Sequence, residues 1–480
     1  MGLGDKMFRG MAWSIIDRVS IQVVQFVLGV ILARILAPEE YGIIAILVVF
    51  IVLSGVFIDS GFTKALIQKK DRTEDDNSTV FIFNIGISIV CYLILWVAAP
   101  FIADFYEIQE LSLLLRVMAL SLIIGAIKAL PTTLFVIDLN FRTLTKINLI
   151  TVVISGGIAI YMAYIGWGVW ALVWQTMLKA VIGLILTWII VKWKPNWVFS
   201  KASFKKLFSY GYKLMVSQLL GSFFSNLNSL LIGKYIGAKD LGFYSRGIQF
   251  SDVVYSIFSS ALNNVLLPGL SPVQDDKKVL VSMTRTIIKT SALITLPVFL
   301  GLAVLAEPII LVILTDKWAF AIPIMQIFCI ARFITTVVVV NINLLYVIGR
   351  TDLVLRQQYL CIAVRVVLVI IALQYGIIYI ALAELASTSI HFFINSYYPG
   401  KFMKYGGFSQ IKDLLKIILA GLAMAAICYL LMLFINNDLL ELIIVPIVGI
   451  LLYWGTVYLM KIPEYNIAID KARGFMKGKS

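Results

Sequence analysis

The chain has 480 residues, 61% of them hydrophobic and only 14% charged, with a formal net charge of +14. Soluble domains hold roughly 45 to 50% apolar and about 25% charged residues, so this composition excludes a water-soluble globular fold and requires lipid as solvent. The single histidine, His391, excludes two-histidine metal sites and leaves a histidine-assisted nucleophile only that residue to use.

A membrane-crossing helix needs about 20 apolar residues. Fourteen stretches meet that need. The first six run Gly10 to Leu36, Tyr41 to Leu66, Ser78 to Ala103, Leu111 to Leu134, Ile147 to Ile165 and Gly168 to Val191. The next six run Leu207 to Ile232, Leu241 to Leu267, Thr286 to Ala306, Phe320 to Val347, Leu353 to Leu373 and Gly376 to Tyr397. The last two are Leu414 to Phe434 and Leu439 to Met460. The first stretch is long and lacks a small-residue cleavage site, so it is expected to stay as a helix rather than be removed as a signal peptide. Cys91, Cys329, Cys361 and Cys428 fall inside spans without metal-ligand spacing and read as small apolar residues.

The chain also repeats itself. At an offset of 200 residues, Arg18, Gln22, Gln25 and Gly29 meet Gln218, Ser222, Ser225 and Ser229, and Tyr41-Gly42 meets Leu241-Gly242. Further on the offset becomes 208, with Asn140 to Thr143 over Ile348 to Thr351 and Gly168 over Gly376. Six helices is an even number, so the two copies enter the membrane the same way round, a plan shared by transporters that rock one half against the other. The expected fold is an all-α polytopic membrane protein: a first lobe over 1–191, a basic linker over 192–206, a second lobe over 207–400, and two further helices with a basic tail over 401–480. Those two helices read as lipid-facing support or an oligomer contact.

Loops on one side hold most of the Lys and Arg, and these are retained in the cytoplasm during insertion, which predicts cytoplasmic termini. The linker carries Lys192, Lys194, Lys201, Lys205, Lys206 and Lys213 with no acid, interleaved with Trp193, Trp197 and Phe204. That pattern points to the anionic inner leaflet rather than to nucleic acid. Two short apolar pieces starting at Pro100 and Pro308 read as outer-face helix ends or partly inserted caps.

A charge at the bilayer centre costs on the order of 2.5 to 3.5 kcal/mol, so the ionisable residues inside the spans need a partner or water. Arg332, Arg365 and Lys179 sit near mid-span; Asp17, Arg18, Asp59, Asp252 and Glu384 are intermediate; Arg34, Arg116 and Arg246 are near enough to the outer face to snorkel. Helical spacing gathers polar residues into stripes: Glu384, Thr388, His391 and Asn395; Ser245, Gln249, Asp252, Ser256, Ser259 and Asn263; Gln358, Cys361 and Arg365; Arg332 and Thr336; Gln175 and Lys179. Such stripes either line a wet cavity or tie helices together by hydrogen bonds. The candidate cavity set is Arg332, Arg365, Lys179, Arg18, Gln22, Gln25, Gln218, Gln249, Asp252 and Glu384, with Asp59, Asp252 and Glu384 as candidate ion-coupling groups. No catalytic or metal site is expected. Gly478-Lys479-Ser480 imitates the end of a phosphate-binding loop, but Arg473 stands where its first glycine is required.

Arg34 to Gly42, Asp59 to Lys70, Gly168 to Val173 and Leu241 to Arg246 resemble the bacterial polysaccharide transporters. These are the Wzx-type flippases, especially the colanic and teichuronic acid exporter branch of the multidrug/oligosaccharidyl-lipid/polysaccharide exporter superfamily. The runs are turn and packing signatures and mark no substrate site. The resemblance implies a non-enzymatic transporter of the bacterial cytoplasmic membrane that carries an undecaprenyl-pyrophosphate-linked oligosaccharide between leaflets. It would need no cofactor beyond H⁺ or Na⁺ as coupling ion, and its partners would be anionic membrane lipids, a polysaccharide polymerase and assembly proteins. Arginine suits a pyrophosphate because its planar fork allows two-point contact. A cation-coupled multidrug antiporter of the same fold and a non-transporting scaffold for glycan assembly are the alternatives.

Overall fold

The computed structural model describes residues 20–59, 61–69, 71–435 and 437–465. Its helices are α1 (Ser20–Ile35), then α2 (Pro38–Asp59), α3 (Phe62–Gln68), α4 (Glu74–Tyr106), α5 (Leu111–Ile137), α6 (Phe141–Tyr164), α7 (Val169–Ile190) and α8 (Lys201–Tyr235). There follow α9 (Ala238–Leu270), α10 (Lys277–Val304), α11 (Ala306–Ile313), α12 (Ile322–Val347), α13 (Thr351–Ala372), α14 (Ile377–Met403), α15 (Gly407–Met432) and α16 (Asp438–Leu459). Among the described residues there is no strand. Among the described residues twelve helices are long and apolar enough to cross a membrane; the described part of α1 is 16 residues, and α8, at 35 residues, is too polar to be one of them. A backbone in lipid must satisfy its own N–H and C=O groups, which is why apolar sequence of this length becomes helix.

The chain divides into two compact units, 1–242 and 243–480, with the division inside α9. In unit 1, α4 packs on α5, α5 on α7 and α6 on α7, while α8 lies against α2, α3 and α4. The repeat groups α8 with the second set of six helices, yet its packing partners lie in unit 1. The start of α4 is set by Thr73, whose hydroxyl accepts from the Asp76 amide while the Asp76 carboxylate accepts from the Thr73 amide. The buried Asp76 side chain also pairs with Lys69.

Tyr41-Gly42 and Leu241-Gly242, equivalent in the repeat, explain each other. A Cβ on Gly42 would collide with the backbone carbonyl of Ala238, and one on Gly242 with that of Pro38. The two helix starts therefore approach reciprocally, backbone to backbone, where only glycine fits.

In unit 2, α12 packs on α14 and α10, α13 on α14, and α15 on α10. The last two helices belong to this packing: α16 rests on α15, α11 and α10, and the Tyr453 hydroxyl donates to the Leu293 carbonyl at 2.9 Å. The two proline-led pieces differ from each other. Pro100 lies inside the continuous α4, whereas Pro308 belongs to the separate short helix α11.

The aromatic residues of the linker pack on the bundle, and its lysines point outward. Trp193 donates its indole N–H to Glu74 at 2.7 Å and packs edge-on to Phe81, and Phe204 packs on Phe62 and Phe83. Trp197 also meets Phe81 edge-on, though it stays 70% exposed, so all three aromatic residues contact the bundle. Lys192, Lys194, Lys201, Lys205 and Lys206 are exposed.

Candidate functional site

Four ionisable side chains meet in unit 2 from four helices. Arg332 on α12 holds Asp252 on α9 at 2.5 Å, and Arg365 on α13 holds Glu384 on α14 at 2.9 Å. Glu384 also lies within electrostatic range of Asp252 and Arg332, so the two pairs form one cluster of two bases and two acids. Lipid offers no counter-charge, and the acid missing from each arginine's own helix is supplied by a neighbouring one. The Arg332 guanidinium additionally lies 5.4 Å from the Tyr255 ring and 5.5 Å from that of Phe328, contacts that favour a desolvated cation. The buried Nε of Arg365 has no hydrogen-bond partner.

Some members of the stripes around this cluster tie helices together, and others bond within their own helix. The His391 ring contacts the Cys361 carbonyl at 2.8 Å and the Ser387 hydroxyl at 3.0 Å, and Asn395 donates to the His391 carbonyl and to the Cys361 sulfur. Thr336 and Thr388 donate to the carbonyls of Arg332 and Glu384 one turn earlier. Asn343 donates to Asn263 at 2.9 Å, joining α12 to α9. Asn341 and Gln410 exchange two hydrogen bonds in a fully buried pair between α12 and α15, which no stripe had flagged.

One stripe needs correction. Gln358 is exposed; its neighbour Gln357 is buried and donates to the Ile394 carbonyl. One residue is a rotation of 100° on a helix, enough to exchange the buried face for the open one.

Gln249, one turn before Asp252, is held by Arg246. Arg116 donates to the Trp96 carbonyl and stacks over its ring at 4.4 Å, as a cation held at a span end does. Gln22, Gln25, Gln218, Asp59 and Lys179 all lie in unit 1 and are not gathered into a comparable cluster; Gln22, Gln25, Gln218 and Asp59 are half-buried. Arg18, Asp17 and the Gly478-Lys479-Ser480 run lie outside the described residues.

Unit 1 contains a basic residue that the sequence reading passed over. Lys128 on α5 is partly buried and within electrostatic range of Lys179 on α7. From the sequence it stands near the inner end of its span, where a lysine ordinarily snorkels to water. Its neighbours across the helix interface are visible only in three dimensions. Among the described residues no group of three or more His, Cys, Asp or Glu is arranged to hold a metal, and all four cysteines are buried and free.

Among the described residues, a helix-only architecture, twelve long apolar helices and charges compensated inside the bundle define a polytopic α-helical membrane protein. Residues 31–323 match the family described as polysaccharide biosynthesis protein, and the chain belongs to that family. The teichuronic acid biosynthesis protein TuaB of Bacillus subtilis (strain 168) is 28% identical over 358 residues, 72% of each chain. The succinoglycan biosynthesis transport protein ExoT of Rhizobium meliloti (strain 1021) is 26% identical over 328 residues, 68% of this chain and 66% of that one. Among solved structures, the lipid II flippase MurJ in an inward closed conformation shares the fold with a TM-score of 0.72 at 19% identity, covering 94% of this chain and 98% of that one. An inward-facing multidrug resistance transporter of the MATE family shares it with a TM-score of 0.57 at 16% identity, covering 82% and 99%.

Proposed function

We propose that the protein is a flippase that moves an undecaprenyl-pyrophosphate-linked oligosaccharide from the inner to the outer leaflet of the bacterial cytoplasmic membrane, by alternating access, for cell-surface polysaccharide synthesis. The observation that carries this reading is the set of basic side chains held at membrane depth in a chain of the polysaccharide biosynthesis family. Arg332 and Arg365 are the groups that meet the lipid-linked anion. Each guanidinium has five N–H donors, more than one carboxylate uses, so an incoming phosphate can share or replace Asp252 and Glu384. Asp252 and Glu384 act by default as counter-charges to the arginines, and together with Asp59 they are the candidate H⁺ or Na⁺ coupling groups. Both termini are cytoplasmic in this reading, and the exposed lysines of the linker face anionic lipid.

The rival, export of cationic drugs, needs carboxylates able to hold a cation. In unit 2, Asp252 and Glu384 already hold guanidinium groups, which favours an anionic ligand.

The test is reconstitution in liposomes with a fluorescent undecaprenyl-pyrophosphate oligosaccharide and protection of the label as readout. The parent moves the lipid; Arg332→Ala and Arg365→Ala insert but do not, and Lys at either position restores only part of the rate because it lacks the fork. Absence of lipid movement by the parent overturns the reading in favour of a scaffold, and movement of cationic drugs in its place favours the antiporter. Glu384→Gln is expected to slow transport while leaving gradient dependence intact; loss of H⁺ or Na⁺ dependence with flipping retained makes Glu384 the coupling site.

A further inference from the structure

His391 is the one histidine of the chain, and it sits beside the charged cluster of unit 2. Helices α13 and α14 meet in three rungs whose numbers fall on one helix as they rise on the other: Gln357 with Ile394, Cys361 with His391, and Arg365 with Glu384. Cys361 stands one turn before Arg365, and Glu384 and His391 are seven residues apart on one face of α14. The imidazole is thus one rung from the ion pair.

Its contacts fix where a proton can go. A carbonyl oxygen only accepts, so the 2.8 Å bond to Cys361 places the ring hydrogen on Nε2 and leaves Nδ1 bare in the neutral ring. The buried Ser387 hydroxyl lies 3.0 Å from the same Nε2. A second proton, taken at Nδ1, leaves the bond to Cys361 standing.

The charge balance gives that proton a use. Two guanidinium groups and two carboxylates sum to zero, so the cluster alone has no net pull on an anion. One proton on His391 makes it positive without breaking either ion pair. From α13 the ring is faced by Arg365 and by the Cys361 thiol, which can only lose a proton; its own helix adds Glu384. Helix α12 adds Arg332, paired with Asp252 of α9, and α15 meets α14 at Ser396 and Gly407, with its Asp413 held by Arg285. Of all these groups only an imidazole, with an ordinary value of about 6.5, changes charge around neutral pH by its own chemistry.

We propose that His391 is the proton-binding group of the arginine cluster: a proton on Nδ1 and a pyrophosphate diester at Arg332 and Arg365 bind together, each strengthening the other. This rests on the reading above in taking the two arginines as the seat of the anion. Gradient dependence that survives Glu384→Gln is then expected, because the proton travels on the imidazole.

The experiment uses the full chain, without a histidine tag, in phosphatidylcholine nanodiscs. The probe is a short-chain prenyl-pyrophosphoryl-glucose, a diester whose phosphates take up no proton near neutral pH. Selective ¹⁵N-histidine labelling reports a single imidazole. Its titration midpoint should move to higher pH by roughly 0.7 when the probe saturates, and by reciprocity the probe's affinity should fall roughly fivefold between about pH 5.5 and about pH 8. His391→Gln, whose amide can still donate to the Cys361 carbonyl, should bind the probe equally at both pH values; if that variant does not fold, the midpoint in the parent decides. A midpoint that the probe does not move, the same pH dependence in His391→Gln, or no probe binding at either pH overturns the proposal. Glycan movement in liposomes without this linkage removes His391 and leaves the flippase reading, and proton-linked binding without glycan movement does the reverse.

Discussion

Separating Arg365 from Glu384 should cost the fold far more than removing both. Glu384 is 9% exposed and Arg365 28% exposed, so the pair is largely withdrawn from solvent. Deleting one partner of a buried pair costs about 3 to 5 kcal/mol, and insertion scales put a lone mid-membrane charge at about 2.5 to 3.5 kcal/mol. The partial opening of Arg365, and Arg332 within electrostatic range of Glu384, place the expected loss for Arg365→Met near the lower bound, about 3 kcal/mol. That is roughly a hundredfold in the unfolding constant. Glu384→Leu should cost a similar amount by stranding the guanidinium. The double variant Arg365→Met/Glu384→Leu strands nothing, and replacing a buried ion pair by apolar groups is often neutral, so most of the loss should return. Reversible unfolding in mixed micelles, followed by tryptophan fluorescence, measures the cycle. Single-variant losses that add to within about 0.5 kcal/mol in the double variant would show that the pair does not act as a unit and refute the reasoning.

Gly42→Ala and Gly242→Ala each drive a methyl group into a backbone carbonyl that cannot step aside, so each should destabilise by about 1 to 3 kcal/mol in the same assay. Gly55→Ala, with open space around its Cβ position, should be neutral or slightly stabilising. At the C-terminal end of α8, Lys234 holds the Glu107 carboxyl below its ordinary range through a 2.8 Å bond. A depressed carboxyl contributes above the usual value of about 4.3 and loses that contribution as pH falls through its lowered one. The protection factor of amides at the end of α8, which divides out the intrinsic slowing of exchange in acid, should therefore fall on acidification in the parent and much less so in Glu107→Gln. For orientation, cysteines placed at Glu107 and Asp438 should label from outside and those at Asp75 and Ser203 only after permeabilisation. Labelling of Ser203→Cys in intact cells would reverse the topology.

Much of the candidate site was readable as residue types, and little of it as partnerships. Glu384, Thr388 and Asn395 fall on one face because helical period is a local property, and all three are buried. Gln358 was misplaced because a polar pair in sequence does not say which member points inward. Lys128 was missed because its distance from the span end permits snorkelling, and only the packing of α5 on α7 shows where its ammonium goes.

The helices themselves follow from sequence alone, since an apolar run long enough to cross lipid must close its own hydrogen bonds. The same holds for the repeat and for the glycines that mark it. The compensation of charge was decided by tertiary structure. Arg332 and Asp252 are 80 residues apart in the chain, and their pairing depends on the depth and rotation of two helices at once. Neither quantity is encoded in either helix, and a coulombic contact a few ångströms long is lost if one of them turns by a single residue.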